Sequence, residues 1–220
     1  MSRAIVRQVN LAVPEQSDAK NVGMTGINKQ PVEHPVAVRA PGPKRTGLHS
    51  GLVGDQIFDI DHHGGDDQAV YAYAREDYDW WEQQLGRELA GGLFGENLTT
   101  EGLDVNGAIL GETWRIGDEL VLQTTFGRIP CATFQWKMRE PRWVKRFGAE
   151  RRPGAYLRVV HPGDVRAGDR VEILDRPAHG VTIAESYHAW LHDSAELRRY
   201  LELDGLPGDL AAAIRRKLKL

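Results

Sequence analysis

The sequence of 220 residues contains a single cysteine, Cys131. One cysteine cannot form an internal disulfide, and it cannot supply the ligands of a cysteine-based zinc finger or an iron–sulfur cluster. A small secreted domain held together by disulfides is therefore excluded. The absence of a thiol pair predicts instead a cytoplasmic protein.

Long apolar runs are also missing. No stretch approaches the roughly 18–20 residues that a membrane-spanning helix needs. The first eight residues, MSRAIVRQ, lack the apolar segment of a secretory signal. The sequence therefore predicts a soluble protein with no membrane partner.

Charge of neither sign dominates. The chain has 28 Lys and Arg against 31 Asp and Glu, which gives a formal net charge of -3. Proteins that coat nucleic acids are usually basic, so the composition argues against a nucleic-acid partner. The motifs G-x-x-x-x-G-K-[ST], G-x-G-x-x-G and G-x-S-x-G are absent, which removes the usual support for P-loop, Rossmann and serine-hydrolase enzymes.

What the sequence does contain is a series of short, valine-rich runs between turns. The clearest runs cover residues 5–13, 35–40, 119–125, 155–160 and 170–174. Runs of this kind, bounded by Gly, Asp and Pro, are typical of β-strands. Many short strands at this spacing predict a mainly β fold, a barrel or sandwich rather than a βαβ sheet.

Two helices are expected to interrupt this β region. Apolar residues at spacings of three and four predict an amphipathic helix over residues 75–90: Tyr78, Trp81, Leu85 and Leu89. A second helix is predicted over residues 141–147. Pro141 suits the first position of that helix.

The composition changes after Pro177, and residues 181–220 show no strand-like alternation. Three short helices are predicted at about 182–191, 194–203 and 208–218. The expected organisation is a β-barrel domain at 1–176 and a three-helix domain at 177–220. Because about 40 residues are marginal for an independent fold, we expect the helices to pack on the barrel or on a second subunit, as in a homodimer.

Two polar segments carry residue types that suit a functional site. The loop at 59–67, DIDHHGGDD, could ligate a metal, or it could be a turn that caps the next helix. Its Gly64–Gly65 pair would let backbone N–H groups approach an anion, with His63 beside them. Glu96 and Asn97 could hydrogen-bond a heterocycle, or they could form an ordinary polar turn.

Three further features allow a functional and a structural interpretation. Arg128 could lower the pKa of Cys131, although a lone cysteine in apolar surroundings is more often buried and inert. The basic and aromatic stretch 134–156 could bind single-stranded nucleic acid or a flat anionic cofactor, or be a solvated helix face. His188 and His192 have helical spacing but lack the H-E-x-x-H order, and we interpret them as a helix-end feature.

Six segments, taken in this order, form a more specific pattern. They are TGINKQPV (25–32), GLVGD (51–55), HGG with AVYAY (63–65 and 69–73), FGENLT (94–99), RIPC (128–131) and GDVRAGD (163–169). Together they resemble the MOSC domain family, named after the C-terminal domain of molybdenum cofactor sulfurase. The helical tail resembles the three-helix domain of the YiiM-like branch, although it is short. Gly127 stands where the family usually has Pro, and His62 doubles the usual single histidine.

The resemblance implies a MOSC-type β-barrel and a bound molybdenum cofactor (Mo-molybdopterin), whose metal is held by the pterin dithiolene and one protein thiolate. Cys131 matches the metal ligand. The implied catalytic residues are Cys131, His63 and Glu96, with Asp66 as a further proton source. The implied cofactor-binding residues are Lys29, His63, Gly64, Gly65, Asn97, Arg128 and Cys131.

The implied activity is the reduction of N-hydroxylated small molecules, such as hydroxylamino bases and amidoximes, to amines. An external electron-transfer protein would supply the electrons, because the chain has no flavin or iron–sulfur motif. A non-catalytic alternative stays open, in which Cys131 carries the cofactor or a sulfur atom to another enzyme.

Overall fold

The computed structural model describes residues 3–220. Twelve strands lie in this part of the chain: β1 Ile5–Ala12, β2 Glu15–Gln16, β3 Met24–Thr25, β4 Lys29–Val32, β5 Val36–Val38, β6 Val70–Ala74, β7 Leu98–Glu101, β8 Thr113–Ile116, β9 Leu120–Phe126, β10 Ala155–His161, β11 Gly163–Val165 and β12 Val171–Asp175. Eight of them form one sheet in the order β12-β8-β9-β10-β6-β7-β1-β4. Two small two-stranded sheets, β5 with β11 and β2 with β3, complete the β structure.

Six α-helices lie among the same residues: α1 Arg75–Leu85, α2 Ala132–Met138, α3 Trp143–Ala149, α4 Ile183–His192, α5 Ser194–Arg199 and α6 Gly208–Leu218. The predicted class, a β-sheet with inserted helices and a helical C-terminal piece, is confirmed. Helix and strand contents are nearly equal, so the helical share is larger than expected.

One part of the sheet differs from the prediction. Strands β6 and β7 pair in parallel, while all other pairs are antiparallel. Parallel neighbours need a crossover connection, and α1 lies in it. The fold therefore contains one βαβ unit. Residues Val70–Ala74 are all buried, and this explains why β6 lacks the alternation that marks a half-exposed strand.

The strand order of the sheet ends at β12 and β4, so within residues 3–220 the sheet does not close by the pairing of two full strands. Short contacts join the start of β1 to the start of β12 instead: Ile5 and Arg170 form an antiparallel bridge, and the Val171 N–H donates to Ala4 O at 2.9 Å. The N–H of Val6 donates to Asp169 O at 2.8 Å, and the N–H of Gly168 donates to Val6 O at 2.8 Å. These bonds satisfy part of the β12 edge, so the expected barrel is present as an incompletely closed sheet.

An aromatic cluster holds α1, α2 and α3 together on one side of the sheet. Trp81 of α1 contacts Trp143 of α3 with ring centroids 4.6 Å apart. Phe94 contacts Phe134 of α2 at 5.1 Å. The first of these helices was predicted over residues 75–90 but ends at Leu85, because Gly86 has a left-handed backbone. Helix α2 was not predicted. The predicted helix at 141–147 begins two residues later, at Trp143, because Arg142 has a left-handed backbone and is the N-cap.

The C-terminal helices pack on the sheet and share its core. Ile183, Leu197 and Ile214 are fully buried in the same apolar cluster as Val6 and Leu98. Each predicted helix is present, with α5 followed by a 3-10 turn over Tyr200–Glu202. The domain division at residue 177 stays a prediction. No helix within residues 3–220 is long and apolar enough to cross a lipid bilayer.

Candidate active site

A cleft opens between the β9–α2 loop, the loop around residues 55–64 and the end of β3. Six of the eight predicted site residues line it: Lys29, His63, Gly64, Asn97, Arg128 and Cys131. Gly65 and Glu96 lie outside the lining. Tyr71 of β6 and Tyr156 of β10 form part of the wall, which ties the cleft to the central strands.

Cys131 is the N-cap residue of α2 and is half-buried in the cleft wall. Burial by itself would raise the pKa of its thiol. A hydrogen bond from the His63 imidazole and the positive charge of Arg128 oppose that effect and lower the pKa to about 6. The side chain is therefore a thiolate at neutral pH, available both as a nucleophile and as a soft metal ligand.

Arg128 is buried beside this thiolate. One guanidinium N–H donates to the carbonyl of Phe94, and the guanidinium carbon lies 4.2 Å from the centre of the Phe134 ring and 5.4 Å from that of Tyr71. Its Nε is buried and has no hydrogen-bond partner among residues 3–220. A buried donor without a partner is costly, so this atom marks a position where an anionic or polar ligand atom fits.

Lys29 lies at the floor of the cleft in a buried ion pair with Asp55. The carboxylate of Asp55 also accepts from Ser50 Oγ at 2.7 Å and from Asn97 Nδ2 at 3.0 Å. Buried charges persist when they are paired and hydrogen-bonded in this way. Although desolvation opposes the charged form, the charge of Lys29 and the hydrogen bonds from Lys29, Ser50 and the Ala12 N–H keep the pKa of Asp55 below its usual range. Asp55 was not among the site residues predicted from the sequence.

Two glycines of the site lie too close to neighbouring atoms to carry a side chain. Gly64 has φ of 82°, and a Cβ there would lie 2.7 Å from the carbonyl oxygen of His49. Gly127, where the family pattern has Pro, packs so closely that a Cβ would lie 2.7 Å from Pro153 Cγ. Only a residue without a side chain fits this packing, which accounts for the departure. Gly65 donates its N–H to His49 O, so that donor is already used within the chain.

Glu96 was expected to contact the cofactor or substrate, but the structure places it behind the cleft wall, fully buried. Its carboxyl group accepts from Tyr78 OH at 2.8 Å, from Gly92 N–H at 2.5 Å and from Thr99 Oγ1 at 2.8 Å. Burial raises the pKa of Glu96. A group with its hydrogen bonds used inside the fold cannot reach a ligand, so we assign Glu96 a role in holding the 92–96 loop.

The polar loop at 59–67 is divided between two roles. His63 faces the cleft, whereas His62 is exposed and hydrogen-bonds Asp59 at 2.8 Å. Asp59 also pairs with Lys20 at 2.6 Å, and these partners lower its pKa to about 2 against the opposing effect of burial. Asp66 accepts from the Gly42 N–H at 2.8 Å and does not line the cleft. The structure therefore gives Asp66 a loop-holding contact instead of a place beside the thiol.

The part of the chain that the structure describes contains no group of three or more His, Cys, Asp or Glu arranged to hold a metal ion. Neither the 59–67 loop nor the His188–His192 pair assembles a ligand set. A metal in this cleft would have the thiolate of Cys131 as its protein ligand, so its other ligands would have to arrive with it. That requirement fits a metal carried by an organic dithiolene, and the unpartnered Arg128 Nε fits the anionic part of such a group.

The family model for the MOSC domain matches residues 59–172, just over half of the chain. The chain belongs to the MOSC domain family. The matched region includes His63, Asn97, Arg128 and Cys131, and the family is associated with the molybdenum cofactor.

Relatives of known sequence and structure extend over most of this MOSC protein. It is 32% identical to the uncharacterised protein YflK of Bacillus subtilis, over 89% of this chain and 84% of that protein. A reductase of Gibberella moniliformis is 30% identical over 58% of this chain but only 23% of its own length. The crystal structure of YiiM from Geobacillus stearothermophilus superposes with a TM-score of 0.76 at 26% identity, covering 98% and 99% of the two chains.

Proposed function

We propose that this protein is a molybdenum-dependent oxidoreductase that reduces N-hydroxylated compounds, such as hydroxylamino bases and amidoximes, to amines. The observation that carries the proposal is the thiolate of Cys131, with a pKa lowered to about 6, beside a buried arginine in an open cleft. Membership of the MOSC family and the relationship to a protein described as a reductase support it at the family level.

Cys131 is the residue we assign to the metal. Thiolate sulfur is the soft ligand that this class of metal site uses, and ligation requires the deprotonated form. The half-buried position leaves the sulfur accessible from the cleft. When bound, the molybdenum cofactor supplies two-electron redox chemistry that no side chain of the protein offers.

The cations around the cleft are assigned to the anionic part of the cofactor. Arg128 offers its unpartnered Nε, and a guanidinium is well suited to phosphate oxygens. Lys29 has one ammonium proton committed to Asp55 and two further donors. The sharp turn at Gly64 allows backbone to approach a ligand closely. Asn97 acts as a positioning residue, since its amide groups already bond Asp55 and the Tyr71 N–H.

The reaction consumes two protons and two electrons: an N–OH bond breaks, and the products are an amine N–H and water. A proton must therefore be held near the reacting nitrogen and oxygen. His63 is our choice for this role, because it lines the cleft and is one of the groups that lower the pKa of Cys131. The electrons come from an external protein, since a single cysteine cannot hold an iron–sulfur cluster.

Apolar side chains in the cleft lining support a substrate with an apolar, ring-containing body. They belong to Val22, Met24, Ile57 and Phe58. Apolar walls with a few placed polar groups are typical of small-molecule sites. A heteroaromatic or amidine compound would bury its ring against these side chains.

The test is to produce the protein in cells that make the molybdenum cofactor and to measure molybdenum by mass spectrometry. We expect stoichiometric molybdenum in the wild type and in Thr133→Val, a control from the same cleft, and loss of the metal in Cys131→Ser. Turnover of a hydroxylaminopurine or benzamidoxime should follow the metal content. A molybdenum-free preparation with full activity would contradict the proposal.

The same experiment separates an enzyme from a carrier. A thiolate of lowered pKa would also suit the transfer of a cofactor or of a sulfur atom to another protein. Stoichiometric molybdenum without turnover, together with release of the metal to an apo-molybdoenzyme, would identify a carrier. Turnover with a chemical reductant would identify the enzyme.

A further inference from the structure

Helices α2 and α3 form a hairpin that begins immediately after the cleft thiol. Residues 132–149 contain five basic side chains and one acidic side chain, in a chain whose formal net charge is -3. The acidic one, Glu140, is already neutralised by Arg87 at 3.3 Å. The hairpin is therefore a positively charged region on an otherwise acidic molecule.

Three of its cations are free to meet a partner. Arg139, Arg142 and Lys145 are exposed, and none has an ion-pair partner within residues 3–220. The two other basic residues of the hairpin are engaged: Lys137 pairs with Glu15 at 2.9 Å, and Arg146 donates to Gln84 O at 2.8 Å. We call Arg139, Arg142 and Lys145 the α2–α3 basic face.

The backbone holds two of these arginines in an uncommon conformation. Arg139, at the end of α2, has φ of 53°, and Arg142, at the start of α3, has φ of 57°. Glycine is the usual residue in this left-handed region because it has no Cβ to clash. Two long cationic side chains stand there instead, projecting from the turn between the helices.

The aromatic residues of the hairpin decide between two kinds of partner. Single-stranded nucleic acids bind to basic surfaces through exposed aromatic rings on which bases stack. Here Phe134, Trp143 and Phe147 are buried in the core, between 0% and 1% exposed, and only Trp136 is partly exposed. The face therefore offers three free charges but no series of exposed rings on which successive bases could stack, which favours an acidic protein.

We propose that the α2–α3 basic face docks the acidic electron-donor protein. The inference rests on the proposed reductase function, which requires electrons from outside the chain. Helix α2 connects the face to the site, because Cys131 caps its first turn and Arg139 ends its last. At 1.5 Å per residue, the two lie only about 12 Å apart along the helix axis. Charges at the edge of a binding interface mainly speed and orient association, and their effect decreases as the salt concentration rises.

The test compares the wild type with R139Q/R142Q/K145Q and with a control of equal charge change, R198Q/R215Q/K219Q, taken from the C-terminal helices. Immobilised protein is exposed to flavodoxin, a small acidic flavin protein, at 50 and 300 mM NaCl. We expect about tenfold weaker binding for the first variant at low salt, and less than twofold for the control. The wild-type binding should weaken at high salt.

Turnover adds a second readout. With flavodoxin as the electron donor, kcat/KM of R139Q/R142Q/K145Q should fall about tenfold, in line with its weaker binding. With reduced methyl viologen as the donor, kcat/KM of this variant should equal that of the wild type. Equal flavodoxin binding by all three proteins would overturn the docking proposal. So would loss of retention on single-stranded DNA with flavodoxin binding unchanged. Absence of molybdenum or turnover in all three proteins would count against the reductase function, while the binding data would still decide the docking question.

Discussion

The phenol of Tyr78 donates to Oε2 of Glu96 at 2.8 Å and accepts the N–H of Phe94 at 2.8 Å. This pair fixes the loop whose Phe94 carbonyl receives the guanidinium of Arg128. Glu96 therefore affects the cleft indirectly, because it holds the loop whose carbonyl group positions Arg128. Its hydrogen bonds stabilise the fold, so removing its carboxyl group should lower the free energy of unfolding.

Glu96→Ala tests this structural role. Three buried donors would lose their acceptor, and each unsatisfied group costs on the order of 1–3 kcal/mol. We expect the free energy of unfolding to fall by about 3 kcal/mol or more, and Tm to fall by roughly 6–12 °C for a chain of this size. Thermal unfolding of Glu96→Ala measures this loss of stability, and Glu88→Ala, which changes an exposed residue, serves as the control. An unchanged Tm with lost turnover would instead make Glu96 a substrate contact.

The pKa of Cys131 is directly measurable because it is the only thiol. The rate of alkylation by iodoacetamide should rise with pH and reach half its maximum near pH 6. In His63→Gln, the midpoint should move upward toward the ordinary value near 8.5, because a stabilising hydrogen bond is lost. His62→Gln, which removes the exposed neighbour, should leave it in place. A wild-type midpoint near 8.5 would show that the cleft does not activate the thiol.

The same pKa makes stability depend on pH. The thiol has a lower pKa in the folded protein, about 6, than in an unfolded chain, near 8.5. The thiolate therefore stabilises the fold fully above the unfolded value, and this contribution is lost as the pH falls through 6. Denaturant unfolding of the wild type and of Cys131→Ala should give a free-energy difference about 2–3 kcal/mol larger at pH 8.5 than at pH 5.5. An equal difference at both pH values would contradict this.

Asp55→Asn probes the buried pair at the cleft floor. Removing one partner leaves the Lys29 charge buried without compensation, which typically costs about 3–5 kcal/mol. Glu101→Gln breaks the exposed Arg7–Glu101 pair and should cost less than about 1 kcal/mol. Urea unfolding of both variants provides the comparison. Similar small effects in the two variants would show that Lys29 is solvated or that its charge is not needed.

Several strands and helices could be predicted because short stretches of sequence determine them. The valine-rich runs located β1, β5, β9, β10 and β12, and the loss of strand-like alternation after Pro177 located the three C-terminal helices. Strand β6 was missed because VYAYA is buried on both faces and does not alternate. Helix α2 was missed because it begins directly after Pro130–Cys131, with no capping side chain to mark it.

The site could be predicted only where a residue's chemistry is visible in the sequence itself. Arg128 and Cys131 lie three residues apart in one motif, and six predicted residues line one cleft. The role of Asp55 depends on contacts with Lys29 and Asn97, which are 26 and 42 residues away. The burial of Glu96 likewise depends on Tyr78, 18 residues before it. No spacing rule reports such long-range contacts.

The most direct test of the central claim is the sulfur coordination of the metal. X-ray absorption at the molybdenum edge should be recorded on the wild type and on Cys131→Ser reconstituted with molybdenum cofactor. We expect the variant to bind less metal and, in the bound fraction, to show one sulfur neighbour fewer and one light-atom neighbour more. An identical sulfur shell in the two proteins would mean that Cys131 is not a ligand.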